Sequence, residues 1–235
     1  ILFRLYGKDT ELFISRSDEI STMELVNKVE IGPQFYFKFK NGICYQYLPG
    51  DIVDRKLVSD ELIFTKIAQT LASLHMVNFN GFMTQENLPS GQSPFIFNKI
   101  RDLIKLVKRD YKANMSDMTD EYLKTIPKYE KLTDELNHLE SVIKSYASKH
   151  NSLIVFSHND LLLGNIIYNA DMKNIKFIDY EYAEINYQAY DIANHFNEFA
   201  GVEEPNYEYF PNKEYQLKWI RVYLESFYSK IKENN

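Results

Sequence analysis

Between Leu153 and Glu181 the chain leaves itself little choice of local structure. Leu153-Ile154-Val155-Phe156 is a short apolar run with the β-branched and aromatic content of a buried strand. It opens into the polar stretch Ser157-His158-Asn159-Asp160. After Gly164-Asn165, two more apolar runs, Ile166–Tyr168 and Ile175–Ile178, flank a turn rich in Asn and Asp. The pattern predicts strand, loop and hairpin. A hairpin returns the chain beside its own start, so Asp179 and Glu181 come back towards Asp160 and Asn165 on the loop. Any fold containing this unit needs a small sheet with other elements packed on it.

The rest of the chain supplies those elements. Ile1–Tyr6 reads as a strand and Leu12–Ser15 as a second short one, followed by a helix over Ser17–Val29. Gln34–Lys40 and Ile43–Tyr47 flank Asn41-Gly42, a pair that predicts a hairpin with both turn residues at positive φ. Leu48-Pro49-Gly50 ends that strand. Ser59 is placed to cap a helix with Asp60 and Glu61 in its first turn and Leu62, Ile63, Ile67, Leu71 and Leu74 on one face. Phe95–Lys112 forms another helix, whose Lys99, Arg101, Lys105, Lys108 and Arg109 read as a solvated face. Leu132, Leu136, Leu139, Ile143 and Tyr146 mark an amphipathic helix. The expected class is α+β, with a small β-rich lobe over residues 1–48 joined to a larger, mainly helical lobe over 49–235.

Charge and composition exclude several roles. With 27 Lys and Arg against 33 Asp and Glu, the net charge of −6 gives no basic footprint for nucleic acid. No apolar run approaches the ~18 residues that cross a bilayer, so no membrane insertion is expected. The single Cys44 excludes an internal disulfide framework and points to a reducing, cytoplasmic compartment. The 8 glycines are too scattered for a Gly-rich phosphate turn. The chain begins with Ile1, as expected of a fragment of a longer protein.

His158-x-Asp160-x-x-x-x-Asn165, with Asp179 across a hairpin, has the spacing of a phosphotransferase catalytic loop. Phosphoryl transfer needs a carboxylate beside the attacking hydroxyl and oxygen ligands for Mg²⁺ on the phosphates. Asp160 suits the first task, and Asn165 and Asp179 supply hard oxygen donors for the second. Taken singly, Asp160 is an ordinary turn residue and His158 a strut; the strand before and the hairpin after argue for the joint reading. His158 is assigned to holding the loop. Further on, Glu181, Glu184, Asp191 and Glu198 alternate with Tyr182, Tyr187, Tyr190, Phe196 and Phe199. Carboxylates beside aromatic faces suit an ammonium ligand; the plainer alternative is an aromatic core with solvated acids.

His158-Asn159-Asp160 with Asn165, Phe177-Ile178-Asp179-Tyr180-Glu181-Tyr182, Tyr187, Asp191 and Asn194-His195-Phe196 with Glu198 resemble the choline/ethanolamine kinase family. Asp160-Leu161-Leu162, Asn165–Tyr168 and Asn194–Gly201 are closer to its ethanolamine branch. The resemblance implies a protein-kinase-like two-lobed fold and transfer of the γ-phosphate of ATP, with Mg²⁺, to a small amino alcohol. It makes Asp160 the catalytic base and Asn165, Asp179 and Glu181 the metal ligands. Arg4 falls on the strand whose basic residue reaches the ATP phosphates, Glu19 is its ion-pair partner, and Gln46 to Leu48 form the hinge beside adenine. Glu198 and Tyr182 belong to the substrate pocket, and His158, Asp191 and Asn194 support the loop. A homodimer is a further expectation. The family also has two strands and a phosphate-covering loop before the position of Ile1, and aromatic-rich helices after that of Lys232. Choline kinase, an antibiotic-modifying phosphotransferase and a non-catalytic kinase-like binding module are the alternatives.

Overall fold

The computed structural model describes residues 1–7, 15–77, 83–90, 92–114, 127–202 and 204–234. They fall into two compact units. One comprises Ile1–Gly81, Val155–Glu184 and Gln188–Asn235; the other comprises Phe82–Ile154 and Ile185–Tyr187. The expected lobe boundary at residue 48 lies inside the first unit.

In that first unit, β1 (Leu2–Leu5), β2 (Phe35–Phe39) and β3 (Gly42–Tyr45) form an antiparallel sheet of order β1-β3-β2. The register sets Arg4 opposite Ile43. Along β1 the side chains alternate, so Phe3 and Leu5 are exposed while Arg4 turns to the half-buried face. Helix α1 (Arg16–Lys28) packs on β2 and buries Glu19, Thr22, Met23 and Val26. A second sheet joins β4 (Asp51–Ile52) to the hairpin of β6 (Ile166–Asn169) and β7 (Asn174–Phe177), in the order β4-β6-β7.

The helical core of the unit lies between α3 (Glu61–His75) and α7 (Lys213–Asn234), which pack along each other. Ile67, Leu71 and Leu74 from α3 and Trp219, Tyr223 and Phe227 from α7 are all fully buried. Each such side chain contributes about 1.5–3 kcal/mol by leaving water. Trp219, Tyr223 and Phe227 stack in succession with ring centroids 5.8 Å apart. Short α2 (Arg55–Val58) precedes α3, and α6 (Gln188–Asn197) precedes α7. In the second unit, α4 (Phe95–Asn114) packs on α5 (Tyr129–Lys149), where Arg101 pairs with Glu140, itself also bound by Lys144. The Phe97 ring meets Tyr187 edge-on at 6.3 Å, and Tyr187 donates to Gln85 Oε1 at 2.7 Å. Strands β5 (Ile154–Ser157) and β8 (Glu184–Tyr187) carry the chain from one unit to the other. No helix among the described residues is long and apolar enough to cross a membrane.

Several local expectations need correction. The hairpin after Phe39 turns at Lys40-Asn41, not at Asn41-Gly42, and neither Asn41 nor Gly42 has positive φ. Gly42 is there for space: a Cβ would collide with the Arg4 carbonyl and the Phe39 ring. The cap of α3 is Asp60, whose Oδ1 accepts from the N–H groups of Leu62 and Ile63. Ser59 is spent closing the preceding turn, donating to the Arg55 carbonyl. On α5, Leu136 is buried, but Leu139 and Tyr146 are exposed, because the buried face runs through Glu140 and Ala147. Strands β4 and β8 and helix α2 are too short to show periodicity and were not expected. The reading of Leu12–Ser15 as a strand lies outside the described residues except for Ser15, which precedes α1. The side chains of Lys108 and Arg109 also lie outside them.

Candidate active site

The loop after β5 is held by backbone more than by side-chain packing. Asp191, fully buried near the start of α6, accepts from the backbone N–H groups of His158 and Asn159, each at 2.8 Å, through its two carboxylate oxygens. A third bond to it comes from His75 Nε2 at 3.0 Å. Burial works against the Asp191 carboxylate, but these donors outweigh it and hold the carboxyl below its usual range. Asn159 sits in the left-handed region at φ 67, which Asn tolerates better than most residues. Its Nδ2 donates to the carbonyls of Tyr182 and Glu184. Asn194 Oδ1 accepts from the Leu161 N–H, and His195 Nδ1 donates to the Leu161 carbonyl.

His158 spans from this loop to the end of β7. Its Nε2 donates to the Ile178 carbonyl at 3.0 Å, and its ring lies 4.8 Å from that of Tyr180. Burial lowers its pKa. Asn165 Nδ2 donates to the Asp160 carbonyl at 2.9 Å, and the Asn165 carbonyl accepts from Ile178 N–H. Immediately after Ile178, Asp179 is left-handed at φ 62. The strained residues Asn159 and Asp179 thus sit on either side of the His158 strut, as is common where geometry serves a site.

The Asp160 carboxylate has no hydrogen-bond partner among the described residues. Half-buried, its pKa is pushed up from 3.8 to about 6, first by loss of water and then by the charges of Glu198, Asp179, Glu181 and Asp191. The hairpin brings Asp179 and Glu181, and the turn after α6 brings Glu198, within electrostatic reach of Asp160. Glu198 follows α6 in a single 3₁₀ turn, Glu198–Ala200, and burial raises its pKa too.

A guanidinium group anchors the other side. Arg4 Nη1 donates to Glu19 Oε1 at 2.9 Å and to Asp179 Oδ1 at 2.8 Å, while Nη2 reaches Glu181 Oε2 at 2.5 Å. Arg16 adds a bond to Glu19 Oε2 at 2.9 Å. Burial opposes the Arg4 charge, yet the three carboxylates more than compensate and raise its pKa. Past β3, Gln46 and Leu48 line a pocket of about 150 Å³ with Pro49 and Ile167. The Gln46 N–H donates to the Gln34 carbonyl at 2.8 Å. Tyr182 is half-buried, and burial raises its pKa, with Glu181 and Asp160 adding to the effect.

The chain has relatives among known proteins. The family model described as choline/ethanolamine kinase matches residues 1–235. The chain belongs to the choline/ethanolamine kinase family. It is 40% identical over 226 residues to ethanolamine kinase 2 of Rattus norvegicus, covering 96% of this chain and 54% of that protein. It therefore spans about half the length of such relatives. Among solved structures, an ethanolamine kinase of Plasmodium vivax matches at 30% identity with a TM-score of 0.79, over 95% of this chain and 60% of that one. A choline kinase of Cryptosporidium parvum matches at 26% identity with a TM-score of 0.72, over 97% and 65%. The fold is the α+β, protein-kinase-like fold of these enzymes.

The carboxylates that Arg4 joins are oxygen donors of the hard kind that a divalent cation takes once no guanidinium occupies them. Oxygens of Glu19, Asp179 and Glu181 lie within 4.8 Å of one another. Sequence reasoning missed His75, Tyr223, Gln188 and Arg16. Gln188 Nε2 donates to the Tyr223 hydroxyl at 2.8 Å, which leaves that hydroxyl to donate to His75 Nδ1 at 2.5 Å and His75 Nε2–H to reach Asp191. The available signal was a histidine ending an otherwise apolar helix face, Leu71-x-x-Leu74-His75. Trp219 is fully buried in the core.

Proposed function

We propose that the protein carrying this chain is an ethanolamine kinase, which moves the γ-phosphate of ATP onto the hydroxyl of ethanolamine to give phosphoethanolamine. The observation that carries the reading is the Asp160 carboxylate, which lacks a hydrogen-bond partner among the described residues while the backbone around it is fixed by Asp191, Asn165 and Asn194. Its pKa near 6 leaves it ionised at neutral pH and close enough to neutrality to be an effective base. Asp160 accepts the alcohol's hydrogen bond and points the oxygen at the phosphorus. As the new P–O bond forms and the bond to the ADP leaving oxygen breaks, the hydroxyl proton passes to the Asp160 carboxylate.

Arg4 and the hinge from Gln46 to Leu48 bind the nucleotide, with Glu19 orienting Arg4. Asn165, Asp179 and Glu181 would hold Mg²⁺, which when bound supplies charge neutralisation on the phosphates. His158, Asp191 and Asn194 keep the loop in place. Glu198, with Tyr182 beside it, takes the substrate ammonium, since charge-assisted hydrogen bonds to a primary ammonium are the strong ones. Choline has no N–H and favours an aromatic cage. Trp219 is buried in the α3–α7 core and is not part of such a cage.

Steady-state competition between the two alcohols tests this. The expected result is a preference for ethanolamine of about tenfold or more in kcat/KM, with Glu198→Gln raising the KM for ethanolamine more than that for ATP. Equal efficiency, or a preference for choline, would overturn the substrate assignment and leave phosphoryl transfer standing.

A further inference from the structure

The guanidinium of Arg4 lies among the very carboxylates that a metal would need. It donates to Glu19, Asp179 and Glu181 at 2.9, 2.8 and 2.5 Å, while the nearest oxygens of these three acids lie within 4.8 Å of one another. Arg16 stands at the rim, 2.9 Å from Glu19 and 3.9 Å from Glu181. Three carboxylates and two guanidinium groups leave one uncompensated negative charge, which is a poor site for a divalent ion. Without Arg4 the same cluster carries two, which a divalent ion neutralises. The Arg4 side chain is 28% exposed, so a phosphate can reach it, whereas Glu19 beneath it is 2% exposed and stays put. A fork of N–H donors that now serves carboxylates serves phosphate oxygens equally well.

We propose that Arg4 is a tethered counter-ion that keeps divalent metal out of the Glu19–Asp179–Glu181 cluster until nucleotide phosphates draw it off Asp179 and Glu181. Metal and nucleotide then bind as a coupled pair, each raising the other's affinity by the same factor. The inference rests on the kinase reading for the identity of the phosphate ligand. The exclusion of metal by Arg4 rests on the geometry alone.

The test is Mn²⁺ binding without nucleotide, followed by the electron paramagnetic resonance of the free ion, in wild type, Arg4→Gln and Arg4→Met. The Met variant keeps an apolar stem where the Arg stem packs, and circular dichroism checks the folding of each. Wild type is expected to bind Mn²⁺ weakly. Both variants are expected to bind at least about tenfold more tightly, which corresponds to about 1.4 kcal/mol. Mn²⁺ should then raise the Tm of the variants and leave that of wild type almost unchanged. Adding Asp179→Asn to either variant should abolish the gain. Equal Mn²⁺ affinity in wild type and variants would overturn the proposal, as would a gain that survives Asp179→Asn. No turnover is needed, so a protein that gates metal this way yet phosphorylates no amino alcohol would sink the functional reading alone.

Discussion

At the scale of single residues, the site is organised around a carboxylate kept out of hydrogen bonds. Asp160→Asn should lower kcat by roughly 10²-fold or more with ATP affinity retained, the size of a general-base contribution. The same change should stabilise the fold at pH 8. The folded-state pKa of Asp160 is raised, to about 6 from 3.8, so its ionised form destabilises the native state. Asp160 therefore favours the native state fully only below its unfolded value, and that contribution is lost as pH rises through about 6. The Tm advantage of the Asn variant should be full above pH 6 and vanish as pH falls from 6 towards 4. Catalysis runs the other way: kcat/KM should fall about tenfold per pH unit below roughly 6, as the base is protonated. A flat profile from pH 8 to 5 would contradict the assignment. Asp179→Asn removes a charged ligand and should shift the Mg²⁺ titration of activity to much higher concentrations; an unchanged titration would point to Glu181 instead. The loop and hairpin that carry Asp160, Asn165 and Asp179 were legible because one local pattern of strand, loop and hairpin sets them. Arg16 and His75 were not, because their partners are fixed only by tertiary contacts.

At the scale of elements, the buried chain Gln188–Tyr223–His75–Asp191 ties α3, α6 and α7 to the loop that carries Asp160. His75→Leu removes one of three hydrogen bonds to a buried carboxylate and should cost about 2 kcal/mol of stability, the size of a hydrogen bond to a charged group. His75→Gln, which keeps a donor near the Nε2 position, should recover part of it. Denaturant titration reads both, and a His75→Leu cost below about 1 kcal/mol would show that Asp191 does not depend on this partner. The helix caps give a sharper comparison. Asp60→Ala should cost about 1 kcal/mol through loss of the α3 cap, and Ser59→Ala less. The sequence alone pointed to Ser59, since both residues suit the role and only the folded chain assigns Ser59 to α2. Asn41-Gly42 misled for a related reason. The pair is a strong turn signal, but the closeness of the Arg4 carbonyl to Gly42 is a cross-strand fact that no local pattern contains. The long periodic helices and the β6–β7 hairpin were readable, while the four-residue α2 and the two-residue β4 are too short to carry a period.

At the scale of the whole molecule, the net charge of −6 is offset locally where the proposed nucleotide site lies. Arg4 and Arg16 both stand at the acidic cluster of Glu19, Asp179 and Glu181. The aromatic stretch after Glu181, which could be read as an ammonium cage or as core, divides between them: Phe196, Phe199 and Tyr187 are buried, whereas Glu198 and Tyr182 stay half-buried. That division could not be read from the sequence, because alternating acids and aromatics have the same pattern in either role. The central claim is phosphoryl transfer to ethanolamine with Asp160 as base, and ³¹P NMR follows it directly in a mixture of the protein, ATP, Mg²⁺ and ethanolamine. The account expects a phosphomonoester signal from phosphoethanolamine growing in step with ADP, and at least about 100-fold more slowly with Asp160→Asn. ATP bound without transfer to ethanolamine, or transfer at an undiminished rate by the Asn variant, would contradict it.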